Sequence, residues 1–259
     1  MTYRTIDYDL TEGQATITLN RPEVMNALNA TMRAELRDAV QQATAASARV
    51  VVLTGAGRAF CSGQDLGGEG NLGDIDLERI LRDEYEPMLQ AIVECPVPVL
   101  AAVNGAAAGA GANLALAADV VIAAESVVFL QAFTRIGLMP DAGGTWALPR
   151  QVGWPRAMGA ALFAEKIPAR QAADWGMIWE AVPDDRFAAH WQARARHIAT
   201  GPTAAFRAIK EALRASAGND YLTQLGVEAR LQGELGRTRD FREGVMAFLE
   251  KRAPGFEGR

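Results

Sequence analysis

The first two thirds of the chain alternate between short apolar runs and amphipathic stretches. Two stretches have helical spacing, residues 29–45 behind the capping residue Asn29 and residues 76–95. Alternation of strands and helices predicts an α/β core. Four runs rich in valine, isoleucine and threonine, with turn-forming residues at their edges, predict β-strands: 15–20, 49–55, 97–105 and 119–131.

Beyond about residue 155 the pattern becomes almost wholly helical. A glycine–proline break at 201–202 precedes one helical segment, and two more follow it. We therefore divide the chain into a core, 1–198, and a C-terminal helical region, 199–259. The apolar faces of that region can fold back on the core or pack on another subunit. The glycine-rich segment 67–73 predicts a mobile loop.

Composition narrows the possible partners. A chain of 259 residues can bury one sizeable core, and a net charge of −5 without charge runs disfavours nucleic acid and acidic membranes. The start of the chain lacks a secretory apolar run, and no unbroken apolar stretch is long enough for a membrane span. Two cysteines, Cys61 and Cys95, cannot build a disulfide framework. We therefore expect a cytoplasmic protein.

Several kinds of chemistry are disfavoured by the motifs. The glycine clusters at 55–60 and 109–114 lack the third glycine of a dinucleotide fingerprint, and no phosphate-binding G-x-x-x-x-G-K-[ST] loop occurs. His190 and His197 are the only histidines, so neither Cys61 nor Ser62 has a histidine base in the first half of the chain. We expect no metal and no redox cofactor, and a small buried thiol at Cys61.

Two segments, 50–66 and 97–119, share one design: an apolar strand runs into a turn of small residues before a helix can begin. Small residues allow close approach of the backbone, and free N–H groups at a helix start can donate to an oxygen that gains negative charge. Tight packing of helix on strand requires the same small residues. Considered alone, each segment is more typical of tight packing than of a binding site.

Five motifs together are far more specific: LNRPEVMNALN (19–29), VVLTGAGRAFCSGQDL (51–66), VNGAAAGAGANLALAADVVIA (103–123), IGLMPDAGGTWALPR (136–150) and EGVMAFLEKRAPGF (243–256). In order and spacing they resemble the enoyl-CoA hydratase/isomerase (crotonase) superfamily over nearly the whole chain. The resemblance implies a ClpP/crotonase fold, a spiral of ββα units with a C-terminal helical trimerisation region. It also implies an acyl-CoA substrate and a homotrimer or hexamer.

The resemblance further implies that the backbone amides of Gln64 and Ala110 hold the thioester oxygen. It places CoA contacts around the two turns and near the C-terminus: Ala59, Ser62, Gln64, Asp65, Leu66, Gly109, Phe248 and Lys251. Lys251 has an alternative role as a solvated charge. CoA is part of the substrate, so no separate cofactor is expected.

Hydratases of this family carry two glutamates, and their positions here hold Asn113 and Phe133. Neither side chain can act as a general acid or base, so plain hydration of an enoyl-CoA is disfavoured. Glu125 occupies a different position and is expected in a surface turn.

With no carboxylate at the two hydratase positions, the candidate acid or base that we consider is Asp141, in RIGLMPDAGGTW (135–146). Its proline and glycine neighbours alone favour a turn residue that caps the next helix. By resemblance, however, several isomerases of the family carry an aspartate here. Apolar neighbours should raise its pKa, and one carboxylate can shuttle a proton between two carbons of a polarised thioester. We therefore predict that Asp141 is the catalytic base.

Within the family the chain most resembles isomerases that convert the ring-1,2-epoxide of phenylacetyl-CoA to its oxepin. A Δ3-Δ2 enoyl-CoA isomerase of fatty-acid oxidation would use the same groups and stays open as the alternative. Less favoured are an enoyl-CoA hydratase and an aryl-CoA dehalogenase, whose histidine base the first half lacks. A non-catalytic binding protein is least favoured, given the acidic charge and the intact turns.

Overall fold

The computed structural model describes residues 2–67 and 75–259. Of the loop predicted at 67–73, only Gly67 belongs to the described residues, and the rest lies outside them. No helix in the described ranges is long and apolar enough to cross a membrane.

Ten strands are present in the described ranges: β1 (Ile6–Thr11), β2 (Gln14–Leu19), β3 (Val50–Gly55), β4 (Ala59–Cys61), β5 (Val99–Val103), β6 (Ala106–Ala108), β7 (Val120–Ala124), β8 (Val128–Leu130), β9 (Lys166–Pro168) and β10 (Glu180–Val182). They form two sheets, in the orders β1-β2-β3-β5-β7-β10 and β4-β6-β8-β9. The hairpin pair β1-β2 and the pair β8-β9 are antiparallel, and the other pairs are parallel.

The helices of the same ranges are α1 (Ala30–Ala45), α2 (Leu77–Ile80), α3 (Glu86–Val93), α4 (Ala110–Leu116), α5 (Gly144–Val152), α6 (Trp154–Phe163), α7 (Ala169–Asp174), α8 (Asp184–Thr200), α9 (Thr203–Ser216), α10 (Tyr221–Leu235) and α11 (Arg239–Glu250). A π-helical turn, Leu81–Tyr85, joins α2 to α3, and short 3₁₀ helices cover Pro22–Val24 and Ala132–Ile136. Asn29 caps α1 as predicted, because its side chain accepts from the backbone N–H of Met32.

Successive strand pairs divide between the two sheets. β3, β5 and β7 lie side by side in the first sheet, and the strands that follow them, β4, β6 and β8, lie side by side in the second. A helix follows each pair, so the expected spiral of ββα units is confirmed. β3 and β5 are buried almost throughout, which is typical of parallel strands covered on both faces.

Two strand predictions need correction. The run 119–131 is two strands rather than one, because the chain turns at Glu125 and Ser126 and passes from one sheet to the other. The region after residue 155 also contains β9 and β10. Each has only three residues, too few for an alternating pattern to stand out.

The first helix of the C-terminal region, α9, contacts the core through charged side chains. Arg49, beside β3, donates to the Thr203 hydroxyl at 2.7 Å and to the Gly201 carbonyl at 2.5 Å. Lys210 on α9 pairs with Asp119 at 2.6 Å. Helix α8 continues to Thr200, two residues beyond the predicted boundary at residue 198. The break between α8 and α9 lies at Gly201–Pro202.

Asn26 organises the turn between β2 and α1. It is fully buried, and its φ of 56° lies in the left-handed region that asparagine tolerates better than most residues. Its amide nitrogen donates to the carbonyls of Ala56 and Ala59, both at 2.9 Å, and its oxygen accepts from the Arg21 N–H at 2.9 Å. The side chain therefore connects the segment before α1 to the turn between β3 and β4 by hydrogen bonds.

Replacing Asn26 by alanine should lower the free energy of unfolding by about 2–4 kcal/mol, because three bonds are lost and buried carbonyls are left unpaired. Urea unfolding measures the change. The exposed Asn20→Ala, which removes one bond to Asp7, is the control and should stay within about 0.5 kcal/mol of the parent. Equal losses in the two variants would contradict this role.

Candidate active site

The two predicted small-residue turns meet in the fold. Gly63 has a φ of +100°, and a Cβ there would lie 2.9 Å from the Ala108 carbonyl oxygen and 3.4 Å from the Ala110 nitrogen. The first turn is also paired to the segment before α1, because Leu28 donates to Gly63 at 2.8 Å and accepts from Asp65 at 3.1 Å. Glycine at position 63 therefore permits both the backbone shape and the close approach.

The amides of Gln64 and Ala110 are both available to a ligand. Ala110 is the first residue of α4, so its N–H has no acceptor within the helix and lies at the positive end of the helix dipole. Within residues 2–67 and 75–259, neither amide donates to another group of the chain. Gln64 and Ala110 line one cavity of about 280 Å³. The turns therefore form a candidate oxyanion hole.

The described wall of this cavity is mainly apolar: Ser62, Gly63, Gln64, Leu66, Leu77, Ile80, Leu81, Tyr85, Gly109, Ala110, Ala132, Phe133, Arg135, Ile136, Leu138 and Asp141. Asp141 is its one carboxylate and Arg135 its one permanent cation. A second, more open cavity of about 640 Å³ shares Leu77, Leu81, Tyr85, Leu138 and Asp141, and it adds the charged residues Arg82 and Glu86.

Asp141 is half-buried, and burial raises the pKa of its carboxyl to about 6, against a smaller opposing effect of its own backbone N–H. Its Oδ1 atom is buried and has no hydrogen-bond partner among the described residues. The capping alternative is wrong, because the residue preceding α5 is Gly143 and none of the described side chains caps that helix. A carboxyl in this state can both take up and release a proton near neutral pH.

The two positions of the hydratase glutamates have different surroundings. Phe133 contributes an apolar ring to the cavity wall. Asn113 is buried on α4 and does not line the cavity, but its amide nitrogen donates to the backbone carbonyl of Asp141 at 2.8 Å. Neither position brings a second carboxylate to the site.

A buried arginine, which we did not predict, supports the Gln64 turn. Arg33 on α1 is fully buried and donates to the Gln64 side-chain oxygen at 2.9 Å and to the Leu28 carbonyl at 2.7 Å. It also pairs with Glu84 at 2.5 Å, and the Tyr85 hydroxyl donates to the same Gln64 oxygen at 2.7 Å. The sequence signal was available, because Arg33 falls on the otherwise apolar face of α1.

Of the predicted CoA contacts, Ser62, Gln64, Leu66 and Gly109 line the cavity. The others do not, for separate physical reasons. Ala59 is buried inside β4, and Asp65 is paired with Arg21 at 2.8 Å. Phe248 on α11 and Lys251 directly after it are exposed, and neither is among the residues that line the cavity.

Two further sequence predictions concern single residues. Glu125 lies in the turn between β7 and β8, half-buried and paired with Arg170 at 2.5 Å. Cys61 is buried, and burial raises the pKa of its thiol. The thiol is therefore protonated at neutral pH and unsuited to act as a nucleophile.

Comparison with known proteins agrees with this geometry. Residues 9–259 match the family model described as enoyl-CoA hydratase/isomerase. The chain is 68% identical to a "Probable enoyl-CoA hydratase" of Rhodobacter capsulatus, over 100% of both chains. It is 47% identical to the 1,2-epoxyphenylacetyl-CoA isomerase of Escherichia coli, over 96% of each. A solved enoyl-CoA hydratase of Bacillus anthracis superimposes with a TM-score of 0.91 at 34% identity, covering 99% of this chain and 100% of that one.

Gly63→Ala should destabilise the fold by about 2–4 kcal/mol, because the methyl group meets the Ala108 carbonyl at a strained φ. Gly176→Ala is the control, since its φ of +75° is also positive but the nearest atom is 3.5 Å away. Its cost should be about 1 kcal/mol, from the backbone alone. Thermal or urea unfolding measures both, and a Gly63 variant no worse than the control would mean that the turns are not in contact.

Asp141→Asn should stabilise the protein, and only at higher pH. Because the folded pKa of the carboxyl is raised, its favourable contribution is complete below about 4 and is lost as pH rises through about 6. At pH 8 the variant should gain about 1–2 kcal/mol, after allowing for solvent screening of a partly exposed carboxyl. Urea unfolding at pH 4 and pH 8 measures this, with the exposed Asp83→Asn as the control for lost charge. A gain that does not depend on pH would contradict the raised pKa.

Proposed function

The chain belongs to the enoyl-CoA hydratase/isomerase family, and on that premise we propose that it is an acyl-CoA isomerase in which Asp141 transfers the proton. The proposal depends on one observation, the set of groups that share the cavity. The described wall of the cavity holds both free amides, of Gln64 and Ala110, and one carboxylate with a buried, unpartnered oxygen.

In the proposed reaction, the thioester oxygen of the substrate accepts hydrogen bonds from the two amides. The carboxylate of Asp141 removes a proton from the α-carbon, and the electron pair passes into the conjugated system as a dienolate. One such amide donor is typically worth about 3–4 kcal/mol at the transition state. The protonated carboxyl then returns the proton to the γ-carbon, so the double bond moves and the composition is unchanged.

We propose a ring-derived acyl group as the substrate, namely the 1,2-epoxide of phenylacetyl-CoA. The carbon–carbon bond shared by the epoxide and the six-membered ring opens as the ring double bonds rearrange, which gives the oxepin without an added reagent, and Asp141 moves a proton from the α-carbon to the γ-carbon within the ring. The apolar wall with Phe133 in the place of a hydratase glutamate supports this assignment, as does the similarity to the Escherichia coli isomerase. The same proton transfer would shift double bonds in linear unsaturated acyl-CoA, so a Δ3-Δ2 enoyl-CoA isomerase remains the alternative.

For the CoA moiety we propose contacts from Ser62, Gln64, Leu66 and Gly109, which line the cavity. We assign Phe248 and Lys251 to CoA bound at a neighbouring copy of the chain. A homotrimer or hexamer would provide such a neighbour, and exposed apolar side chains on α9–α11, such as Leu213 and Leu249, would be covered in its contacts. We further propose a cytoplasmic enzyme that acts without a separate cofactor and binds neither nucleic acid nor membrane.

Hydration is the second candidate, because the 68% identical relative is named a probable enoyl-CoA hydratase. Adding water requires a group to activate the water and a group to protonate the α-carbon. Among the described lining residues of the cavity, Asp141 is the one carboxylate. The site is therefore better suited to a one-base isomerisation.

The reaction is tested by incubating the protein with three substrates, with mass spectrometry and chromatography of the products. They are the ring-epoxide CoA ester, a linear 3-enoyl-CoA and a linear 2-enoyl-CoA. We expect products of unchanged mass from the first, with a slower reaction of the second. Rapid conversion of the 2-enoyl ester to a product 18 Da heavier, the mass of one water, would favour the hydratase.

Replacing Asp141 by asparagine should lower kcat about 10²–10⁴-fold while the acyl-CoA still binds, because the base is lost and the amides remain. In the parent protein, kcat/KM should fall as pH drops through about 6, since the base must be ionised. Asp83→Asn should behave as the parent. Full activity of the Asp141 variant would refute the assignment of the base.

A further inference from the structure

Asn113 is attached to the segment that carries the proposed base. It is the fourth residue of α4, one helical turn after Ala110, and is 2% exposed. Its Nδ2 atom donates at 2.8 Å to the Asp141 carbonyl oxygen, which also accepts the Gly144 N–H at 2.8 Å. The turn that carries the carboxyl is therefore bonded to the helix whose first amide forms half of the oxyanion hole.

Gln131 fixes the direction of this amide. It is fully buried after β8, and its Nε2 atom donates to Asn113 Oδ1 at 2.9 Å. With Oδ1 engaged in this way, the Asn113 nitrogen must face the Asp141 carbonyl, because a reversed amide would set two oxygens against each other. The other Gln131 atom, Oε1, is buried and has no partner among the described residues.

The contact is also sterically close. A Cβ at Gly144 would lie 2.3 Å from Asn113 Nδ2 and 2.7 Å from its Cγ. Glycine at 144 lets the start of α5 approach the amide, and a longer side chain at 113 would not fit without displacing α5. A carboxylate at 113 would oppose the Asp141 carbonyl with a second acceptor instead of a donor.

We propose that Asn113, oriented by Gln131, is a positioning residue that holds the Asp141 turn against α4 and so fixes the proton-transferring carboxyl relative to the Ala110 amide. This inference rests on the proposed function. It assigns a new role to the position at which hydratases of the family, by the sequence resemblance, carry a catalytic glutamate. A displacement of about 1 Å can cost about 100-fold in rate, so such a contact matters to catalysis.

The other ionisable residues that line the two cavities with Asp141 come from other elements: Tyr85, Arg82 and Glu86 from the π-helical turn and the start of α3, and Arg135 from the 3₁₀ helix. Replacing Asn113 by alanine leaves all of these charges in place. Any change in the pKa of Asp141 in that variant therefore reports a change in its position or burial.

The test uses the full chain with Asn113→Ala and, in case that variant unfolds, Gln131→Met. Carboxyl ¹³C NMR titration gives the pKa of Asp141, and proton exchange of an unsaturated acyl-CoA gives kcat and KM. In Asn113→Ala we expect the pKa to fall from about 6 toward its usual value of 3.8. We expect kcat to fall about 10–100-fold, with little change in KM. Gln131→Met should show the same changes to a smaller extent.

Asn104→Ala is the matched control, because Asn104 also donates one bond and accepts one, to Gly57 and from Gly55, both at 3.0 Å. It should lower the melting temperature without moving the pKa of Asp141. A folded Asn113→Ala protein with the parent pKa and exchange rate would overturn the inference. If the pKa falls in this variant but the parent itself catalyses no exchange, the positioning role stands and the proposed function fails.

Discussion

The close approach of two backbone turns is the constraint on which the rest of the site depends. A donor pair for one oxygen needs two N–H groups that the fold leaves unpaired, and they must face the same cavity. Here the meeting of Gly63 with the start of α4 brings the amides of Gln64 and Ala110 together. The two turns follow β4 and β6, which are neighbouring parallel strands of the second sheet, and Arg33 supports the first turn through the Gln64 side chain.

The second requirement is a carboxyl that is held away from water without being neutralised by a partner. Asp141 meets it because mainly apolar residues line its cavity and its Oδ1 atom has no partner among the described residues, while its backbone carbonyl accepts the bond from Asn113. Burying an acid without a partner lowers the free energy of unfolding at any pH above the pKa of the acid. Such groups are found mainly at functional sites, where the protein uses their chemistry. An asparagine cap or a paired aspartate would give a more stable turn with no reactive carboxyl.

Much of this could be predicted from the sequence. The strands at 15–20 and 49–55 and the capped helix behind Asn29 followed from hydrophobic period and turn residues, and the family followed from five ordered motifs. The short strands β9 and β10 could not, because three residues carry no period. The role of Asn113 and Gln131 depends on contacts between residues 18 and 28 apart in sequence, which no local pattern encodes. Arg33 could have been predicted, although it was not, because a charged residue on the apolar face of a helix indicates a buried ion pair.

The central claim is that one carboxyl carries the proton from one carbon to the other, and isotope transfer tests it most directly. The substrate is a 3-enoyl-CoA labelled with deuterium at the α-carbon, and the product is analysed after a single turnover in ordinary water. A partly buried Asp141 predicts that a measurable fraction of the label reappears at the γ-carbon, and that Asp141→Asn abolishes this transfer. A product whose γ-proton comes wholly from solvent, or transfer that persists in the asparagine variant, would contradict the account.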